Sequence, residues 1–214
     1  MTVLEGERGR TSDAAPESRR QRLIEIVRAR SLASGTRVRL TSGAESSFYF
    51  DMKPTAFDPE GAALIADLVL EQLRRDEAEF VGGLEMGAVP IVACVVQLSF
   101  LTPESPGVQG FFVRKAAKEH GTRKLIEGVA EGTAVAGRRA IVVEDVTTTG
   151  NSALAAVAAA REAGLEVGTV VTIVDRLEGA DANLSRHGLE LRALTTARDY
   201  AIGGRAMPDA KKPG

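Results

Sequence analysis

The sequence predicts an α/β fold built around a central parallel sheet. Four apolar runs typical of strands recur about thirty residues apart, which is the length of a strand–helix–strand unit. They begin near Phe80, Phe111, Ala140 and Thr169. Segments 87–100 and 150–163 lie between strands and have the pattern of helices, the second ending at Gly164. The chain has 214 residues, 44% of them hydrophobic, enough for one large core but short for two domains.

The N-terminal part predicts an arm, a helix and two short strands. Residues 1–16 are polar and contain glycine and proline, so we expect a flexible arm. Apolar residues at helical spacing then predict an amphipathic helix over about 18–31. Short strands are expected over Thr36–Leu40 and Phe48–Phe50.

A capped helix and a last strand complete the predicted domain. The pair Asp58-Pro59 starts a helix that runs to about residue 75, because Asp is a good cap and Pro fits a first turn. A final strand is expected over Leu189–Leu194. We therefore expect one domain over 17–200, followed by a tail at 201–214.

The composition argues against several classes of protein. The formal net charge is -2, from 27 basic and 29 acidic residues, so there is no basic surplus for nucleic acid or anionic lipid. The single cysteine, Cys94, lies in an apolar run and is expected to be a buried, inert thiol. The N-terminus has no apolar core, and the apolar runs are shorter than a membrane helix needs. We expect a cytoplasmic protein that binds neither nucleic acid nor membrane.

Segment 140–152 combines a strand, two carboxylates and a turn of small residues. Glu144 and Asp145 follow the apolar strand Ala140–Val143. The turn before the next helix consists of Val146, Thr147, Thr148, Thr149, Gly150, Asn151 and Ser152. Backbone N–H groups at such a helix start bind phosphate, whereas ionised carboxylates accept hydrogen bonds from vicinal hydroxyls. A phosphorylated ribose offers both groups; the alternative is a plain strand followed by a threonine-rich helix cap.

This stretch resembles the phosphoribosyl-diphosphate motif of the type I phosphoribosyltransferases. The resemblance implies their fold, a central parallel sheet flanked by helices with a small hood from about 17–57 plus a C-terminal part. It also implies that Glu144 and Asp145 hold the ribose hydroxyls, Asp145 being a catalytic residue, and that 147–152 bind the 5-phosphate. Val146 belongs to the same ribose diphosphate site.

Loop 114–128 carries five positive and two negative formal charges in a chain that is net acidic. It is either a solvated surface loop or a cover for a polyanion such as diphosphate. Its Arg-Lys-x-x-Lys-x-His-Gly-Thr pattern resembles the flexible catalytic loop of the orotate phosphoribosyltransferase family. The resemblance implies a homodimer in which the loop acts in trans, with Lys118 and His120 catalytic. Its diphosphate-contacting positions are Arg114, Lys115, Lys118 and His120.

Two further segments resemble the base site of that family. The resemblance places Tyr49 and Phe50 against the pyrimidine, although aromatic residues in a strand are more often core. Arg176 follows a predicted strand, and its guanidinium suits a planar carboxylate such as that of orotate; the alternative is an ordinary Asp-Arg turn. The family resemblance assigns Arg176 and Thr148 to orotate. Lys53 is either a cation of the site or an exposed charge.

The sequence departs from the family pattern at two places. Many members carry a lysine in the strand-end loop that here reads Gly82–Ala88, where Met86 stands next to Glu85. Some carry another lysine at or just after the turn that here begins at Thr41. Both departures bear on affinity for the activated ribose.

The expected reaction joins orotate to 5-phosphoribosyl 1-diphosphate, giving orotidine 5-phosphate and diphosphate for pyrimidine synthesis. The resemblance implies Mg²⁺ as cofactor, carried by the substrate diphosphate without a protein metal site. Two alternatives stay open. One is a phosphoribosyltransferase for another base, and the other is a non-enzymatic regulator that senses the ribose diphosphate.

Overall fold

The structure, a computed structural model, describes residues 15–39, 45–103, 107–115 and 125–200. Most of the predicted arm, the tail 201–214 and the turn beginning at Thr41 lie outside these ranges. So does the centre of the basic loop, including Lys118 and His120.

Within the described residues the chain alternates strands and helices. The helices are α1 (Pro16–Arg30), α2 (Lys53–Ala56), α3 (Pro59–Arg75), α4 (Ala88–Leu101), α5 (Asn151–Glu162) and α6 (Ala180–Ser185). The strands are β1 (Leu32–Arg39), β2 (Glu45–Phe50), β3 (Phe80–Leu84), β4 (Gln109–Val113), β5 (Ile126–Glu127), β6 (Arg139–Thr147), β7 (Glu166–Asp175) and β8 (Glu190–Thr196). A turn of 3-10 helix follows at Ala197–Tyr200.

The predicted α/β fold is confirmed. The main sheet has six strands in the order β5-β4-β3-β6-β7-β8, parallel except for the short edge strand β5. Alternate residues of its strands face opposite layers of helices. On β6, Ile141 packs in the core that contains α3 and α4, whereas Val142 packs in the core that contains α5.

The strand order fixes where a ligand can bind. The chain leaves β3 toward β4 on one side, and leaves β6 toward β7 and β8 on the other. The connections after β3 and β6 therefore diverge, and a crevice opens between the carboxyl ends of these neighbours. The carboxylate pair predicted at the end of β6 lies at this switch point.

A small antiparallel sheet, β1–β2, forms the hood beside the main sheet. Strand β1 starts at Leu32, four residues before the predicted Thr36, because Leu32 pairs with Phe50. The weak strand propensity of Ala33 and Ser34 is overridden by this pairing. The helix predicted over 18–31 is confirmed as α1.

Four short elements were not predicted: α2, β5, α6 and the 3-10 turn Ala197–Tyr200. Each is too short to show a clear period, and packing against longer elements decides its conformation. No helix in the described part of the chain has the length and apolarity needed to span a bilayer.

Candidate active site

Glu144 and Asp145 lie at the carboxyl end of β6, where both side chains are largely shielded from solvent. Glu144 Oε2 accepts a hydrogen bond from the hydroxyl of Thr147 at 2.8 Å. Asp145 Oδ1 accepts from the backbone N–H of Val146 at 2.9 Å. The predicted carboxylate pair is thus oriented by the first residues of the turn that follows it.

Burial raises the pKa of both carboxyl groups in this pair. It raises the pKa of Glu144 to about 7, and the neighbouring Asp145 charge adds to the rise while hydrogen bonds from Thr147 and Ser152 oppose it. Burial also raises the pKa of Asp145, although the Val146 N–H and the Lys53 cation favour its ionised form. Glu144 is therefore poised to gain or lose a proton near neutral pH, which is typical of a functional site.

The turn before α5 presents a helix N-terminus and several hydroxyls. Gly150 adopts φ +79° as the residue that caps α5, a conformation that favours glycine. Thr149, Asn151 and Ser152 are exposed and Thr148 is half-buried, so this part of the turn can receive an anion.

Thr147 differs from its prediction. Its side chain is fully buried and its hydroxyl donates to Glu144, so that hydroxyl supports the carboxylate instead of facing a phosphate. This corrects the predicted role of the hydroxyl; a phosphate contact from Thr147 would have to come from its main chain.

Asn183 on α6 holds the same turn in place. Its side-chain amide donates to the Thr149 carbonyl at 2.7 Å and to Asn151 Oδ1 at 3.2 Å. The sequence carries no signal for this role, because Asn183 is more than thirty residues beyond the turn.

Gly87, in the loop after β3, lies directly against Asp145. A Cβ atom built at Gly87 would stand 2.5 Å from Asp145 Cγ and 2.6 Å from both carboxylate oxygens. No such approach is tolerated between real atoms, so the close packing of the β3 loop on Asp145 requires glycine. The peptide bond Glu85–Met86 in this loop is cis.

The start of the basic loop is attached to the β3 loop. Glu85 donates its backbone N–H to the Val113 carbonyl at 2.8 Å, and its carboxylate accepts from the Lys115 N–H at 2.9 Å. Arg114 bonds through its N–H to the Leu125 carbonyl and pairs with Glu127 at 3.8 Å. Arg114 and Lys115 are thus placed at the same sheet edge as Asp145.

Arg176 follows β7 and is almost fully buried, with 4% of its side chain exposed. Its guanidinium carbon lies 4.5 Å above the centre of the Phe48 ring, and Nη2 pairs with Glu178 Oε1 at 2.7 Å. The Arg176 N–H donates to the Thr147 carbonyl at 2.9 Å, which fixes it beside the end of β6. A guanidinium has the planar set of N–H donors that a carboxylate can accept from.

Tyr49 and Phe50 do not share a face of β2, because consecutive strand residues point to opposite sides. Tyr49 is exposed, whereas Phe50 is buried with its ring 5.1 Å from that of Tyr200. The ring of Phe50 is thus a core group, which corrects the prediction that both rings cover the pyrimidine. Tyr49 is the ring of the pair that remains accessible.

Lys53 begins α2 and pairs with Asp51 at 2.7 Å. It is exposed, and it lies near enough to Tyr49 and Asp145 for their charges to act on it. The hydrogen bond to Asp51, with these charges, raises the pKa of Lys53. Lys53 is thus an exposed charge, and its role as a cation of the site stays a prediction.

Sequence reasoning singled out the loop that contains Gly87 and the segment that contains Phe48, but it did not predict the contacts made by four residues: Gly87, Asn183, Phe48 and Glu178. Each of these residues contacts a predicted site residue. Three of the contacts join different elements, and the fourth, that of Glu178, spans the turn after Arg176. Only Glu178, two residues after Arg176, had a local signal in the sequence.

The chemistry of the cleft fits a hard divalent cation that brings ligands of its own. Glu144 and Asp145 supply carboxylate oxygens, the donors that such ions prefer. The described residues contain no group of three or more histidine, cysteine, aspartate or glutamate side chains placed to hold a metal ion. An ion at this site would therefore need oxygen ligands from a bound substrate.

Comparisons with known proteins bear on the identity of this site. A protein-family model described as "Phosphoribosyl transferase domain" matches residues 56–186. The orotate phosphoribosyltransferase of Rhodopseudomonas palustris (strain BisB5) is 50% identical over 181 residues, 85% of this chain and 95% of the relative. That of Mycobacterium avium (strain 104) is 40% identical over 86% of this chain and 97% of the relative.

A solved structure agrees with these relatives. The orotate phosphoribosyltransferase of Mycobacterium tuberculosis H37Rv, in complex with 5-phospho-alpha-D-ribosyl 1-diphosphate, is 36% identical. It aligns with a TM-score of 0.67 over 86% of this chain and 99% of its own.

The fold and the cleft at the β3–β6 switch point define a type I phosphoribosyltransferase. Within that class, the chain belongs to the orotate phosphoribosyltransferase family. It is an enzyme that transfers a phosphoribosyl group to orotate, a step of pyrimidine biosynthesis. This favours the expected reaction over transfer to another base and over a non-enzymatic regulator.

Proposed function

We propose that Glu144 and Asp145 bind the ribose hydroxyls of 5-phosphoribosyl 1-diphosphate while the turn at 146–152 binds its 5-phosphate. The observation that carries this proposal is the carboxylate pair next to the N-terminus of α5 at the switch point. Carboxylates accept hydrogen bonds from hydroxyls, and the helix N-terminus attracts the phosphate. Thr148, Thr149, Asn151 and Ser152 present the accessible side chains of the turn.

The base site lies between β7 and the hood. Arg176 binds the orotate carboxylate, Thr148 contacts the pyrimidine, and Tyr49 covers its exposed side. The position of Arg176 beside the end of β6 supports this arrangement, since it donates to Thr147 there. The guanidinium selects orotate because uracil and purine bases carry no ring carboxylate.

The reaction breaks the bond between ribose C1 and the diphosphate oxygen, and the diphosphate leaves with the electron pair. The orotate ring nitrogen forms the new bond to C1. Orotate is already an anion, so this step calls for alignment of the reactants more than for a strong base. Arg114, Lys115, Lys118 and His120 stabilise the charge that develops on the diphosphate.

We assign Mg²⁺ as the metal cofactor, carried by the substrate diphosphate. When bound, the ion neutralises part of the diphosphate charge and makes it a better leaving group. Oxygens of the substrate diphosphate and ribose would supply the ion's ligands, beside the Asp145 carboxylate that binds a ribose hydroxyl.

The enzyme acts as a homodimer in which loop 114–128 completes the site of the partner. The outer face of α4 supports this proposal, because Phe100 is 84% exposed and Leu101 is 64% exposed. An apolar groove of about 550 Å³ between α4 and β4 extends this face to Gly128, at the base of the loop. A second copy docked on α4 would cover the apolar face next to the point where the loop begins.

The remaining proposals concern organisation and location. Residues 17–200 form the catalytic domain, with an arm at 1–16 and a tail at 201–214. The enzyme works in the cytoplasm, a reducing compartment that suits its lone thiol, Cys94, whose pKa is raised by burial.

The test of the proposed site is diphosphate release from 5-phosphoribosyl 1-diphosphate with Mg²⁺ and one base at a time. Orotate should support release, whereas uracil, adenine and hypoxanthine should not. Asp145→Asn should lower kcat/KM for the ribose substrate, and Arg176→Lys should raise the KM for orotate. An unchanged kcat/KM in Asp145→Asn would refute the proposed ribose site. An unchanged KM for orotate in Arg176→Lys would refute the proposed base site.

A further inference from the structure

Two hydrogen bonds fix the main chain around Arg176. Its N–H donates to Thr147, and the next N–H, that of Leu177, donates to Asp175 Oδ1 at 2.8 Å. Leu177 adopts φ +61°, the left-handed region, so the chain turns sharply after the arginine. This turn sends the Arg176 side chain toward the hood and brings Glu178 back beside it.

The guanidinium is restrained by two different elements. The Phe48 ring, on hood strand β2, covers one of its faces at 4.5 Å. Glu178, on the connection after β7, holds its Nη2 edge at 2.7 Å. Phe48 is half-buried and packs edge-on against Phe50 at 5.9 Å, so the ring below the arginine rests on the main hydrophobic core.

We propose that Phe48 and Glu178 are positioning residues that hold the Arg176 guanidinium in one plane for the ring carboxylate of the base. The inference rests on the proposed contact between Arg176 and orotate. It adds that the preference for a carboxylated pyrimidine depends on two residues that need not touch the base.

The physical reason is preorganisation. A free arginine side chain loses much rotamer freedom when it binds a carboxylate in a defined plane. Stacking on Phe48 and pairing with Glu178 have already removed that freedom in the folded enzyme. Loss of either restraint should weaken orotate binding without altering the ribose site on β6.

The experiment compares matched variants at both positions by steady-state kinetics of diphosphate release. Phe48→Leu should raise the KM for orotate about tenfold and change the KM for the ribose substrate by less than about twofold. Phe48→Tyr keeps the ring and should restore orotate KM to near the wild-type value. Glu178→Ala should raise the KM for orotate about fivefold. Glu178→Gln keeps an acceptor oxygen and should leave the KM for orotate unchanged.

Double variants show whether the two residues act through the arginine. In an Arg176→Lys background, Phe48→Leu should add little to the rise in orotate KM, because a lysine has no plane to be held. A full additive effect would overturn the inference, since Phe48 would then act on the base directly.

The outcomes also separate this inference from the proposed base site. If Arg176→Lys leaves orotate KM unchanged, the proposed base contact fails. If Arg176→Lys raises it but Phe48→Leu and Glu178→Ala do not, the positioning role alone fails. Thermal unfolding of each variant identifies any loss of folded enzyme, and the Glu178 pair tests the idea even if Phe48→Leu does not fold.

Discussion

At the scale of single residues, the burial of Glu144 provides a carboxylate for the ribose and lowers the stability of the folded protein. Its pKa is raised to about 7, mainly by burial, well above the ordinary value of 4.5. The folded protein therefore binds the Glu144 proton more tightly than the unfolded chain does. Between about pH 4.5 and 7 this group makes the protein less stable as pH rises, and above pH 7 the full penalty is present.

Glu144→Gln should therefore be more stable than the wild type at pH 8. The gain in unfolding free energy should reach at most about 3 kcal/mol, since one unit of pKa is worth about 1.4 kcal/mol. The variant should also lose most activity, because an amide is a weaker acceptor for hydroxyls than a carboxylate. Urea unfolding at pH 8 and pH 5 measures the effect.

The stability gain should shrink as the pH falls toward 5, where Glu144 is protonated in the folded wild type. A gain of equal size at both pH values would contradict the assigned pKa. Glu166, an exposed glutamate on β7, provides the control variant Glu166→Gln, which should show no such difference.

Gly87 gives a second prediction for a single residue. Gly87→Ala should displace the Asp145 carboxylate and lower kcat/KM for the ribose substrate about 100-fold, since a shift near 1 Å has that effect in enzyme sites. The cost in stability should be small, because a side-chain terminus moves and no backbone has to shift. Kinetic constants and melting temperatures are the measurements.

Gly168→Ala is the matched control, because Gly168 lies in β7 near its start and a Cβ there meets nothing within 4 Å. It should leave kcat/KM unchanged. Wild-type kinetics in Gly87→Ala would mean that Asp145 does not depend on the β3 loop.

The sequence predicts the contiguous part of the site and not the contacts between separate elements. The carboxylate pair and the turn after it are contiguous, so strand, acids and helix start are visible in one segment. Gly87 and Phe48 work through partners on other elements, a relation that only the folded chain reveals. The inward hydroxyl of Thr147 was missed for a similar reason, because the three threonines of the turn look alike in sequence.

At the scale of elements, α3 was predicted well because its start signal is local. Asp58 Oδ1 accepts from the Gly61 N–H at 2.9 Å, as expected for a helix cap. By contrast, β1 begins earlier than its composition suggests, because its partner β2 determines its length. A local signal such as a helix cap predicts where an element starts. Pairing with another strand can override the weak strand propensity of a short segment.

Asp58→Ala should lower the unfolding free energy by about 1–2 kcal/mol, the usual cost of losing a helix cap. It also removes the ion pair of 2.8 Å between Asp58, whose side chain is 11% exposed, and the half-exposed Arg30. Because solvent reaches Arg30, this pair should contribute less than the cap. Urea unfolding checks the loss, and kcat should stay unchanged because the cap is outside the cleft.

Asp58→Asn separates the two effects, since an amide oxygen still caps the helix while the charge is gone. Its stability should lie close to that of the wild type. A loss as large as that of Asp58→Ala would assign the effect to the ion pair with Arg30.

At the scale of the whole molecule, the strand order explains why distant segments form one site. Glu85, Arg114, Asp145 and Arg176 come from the ends of β3, β4, β6 and β7, and the sheet order places the first two strands beside the last two. The basic loop is attached at this edge through Glu85, and the apolar face of α4 begins beside it. A dimer built on α4 would therefore place two cleft regions and two loops in one assembly.

Mixing two inactive variants tests that assembly. Lys118→Ala removes a loop cation, and Asp145→Asn alters the pocket. If the loop acts in trans, an equal mixture should recover about one quarter of wild-type activity, since about half of the dimers are mixed and each has one intact site. Diphosphate release after subunit exchange measures the recovery.

The control introduces Phe100→Asp into both variants. Phe100 is exposed, so the monomer should fold normally while the charge prevents docking on α4. Recovery should then disappear, and sedimentation should report monomers. Mixed dimers without recovered activity would show that each loop serves its own subunit.

The contact between Phe50 and Tyr200 joins the hood to the turn that follows β8. Tyr200 also donates its hydroxyl to Thr195 at 3.0 Å, and Asp199 beside it pairs with Arg20 of α1 at 2.7 Å. A chain shortened to end at Thr196 would keep every strand described above, yet it would lose the ring on which β2 rests. The turn Ala197–Tyr200 thus supports the hood from below. Truncation or fusion at this turn would alter the choice of substrate while leaving the main sheet intact.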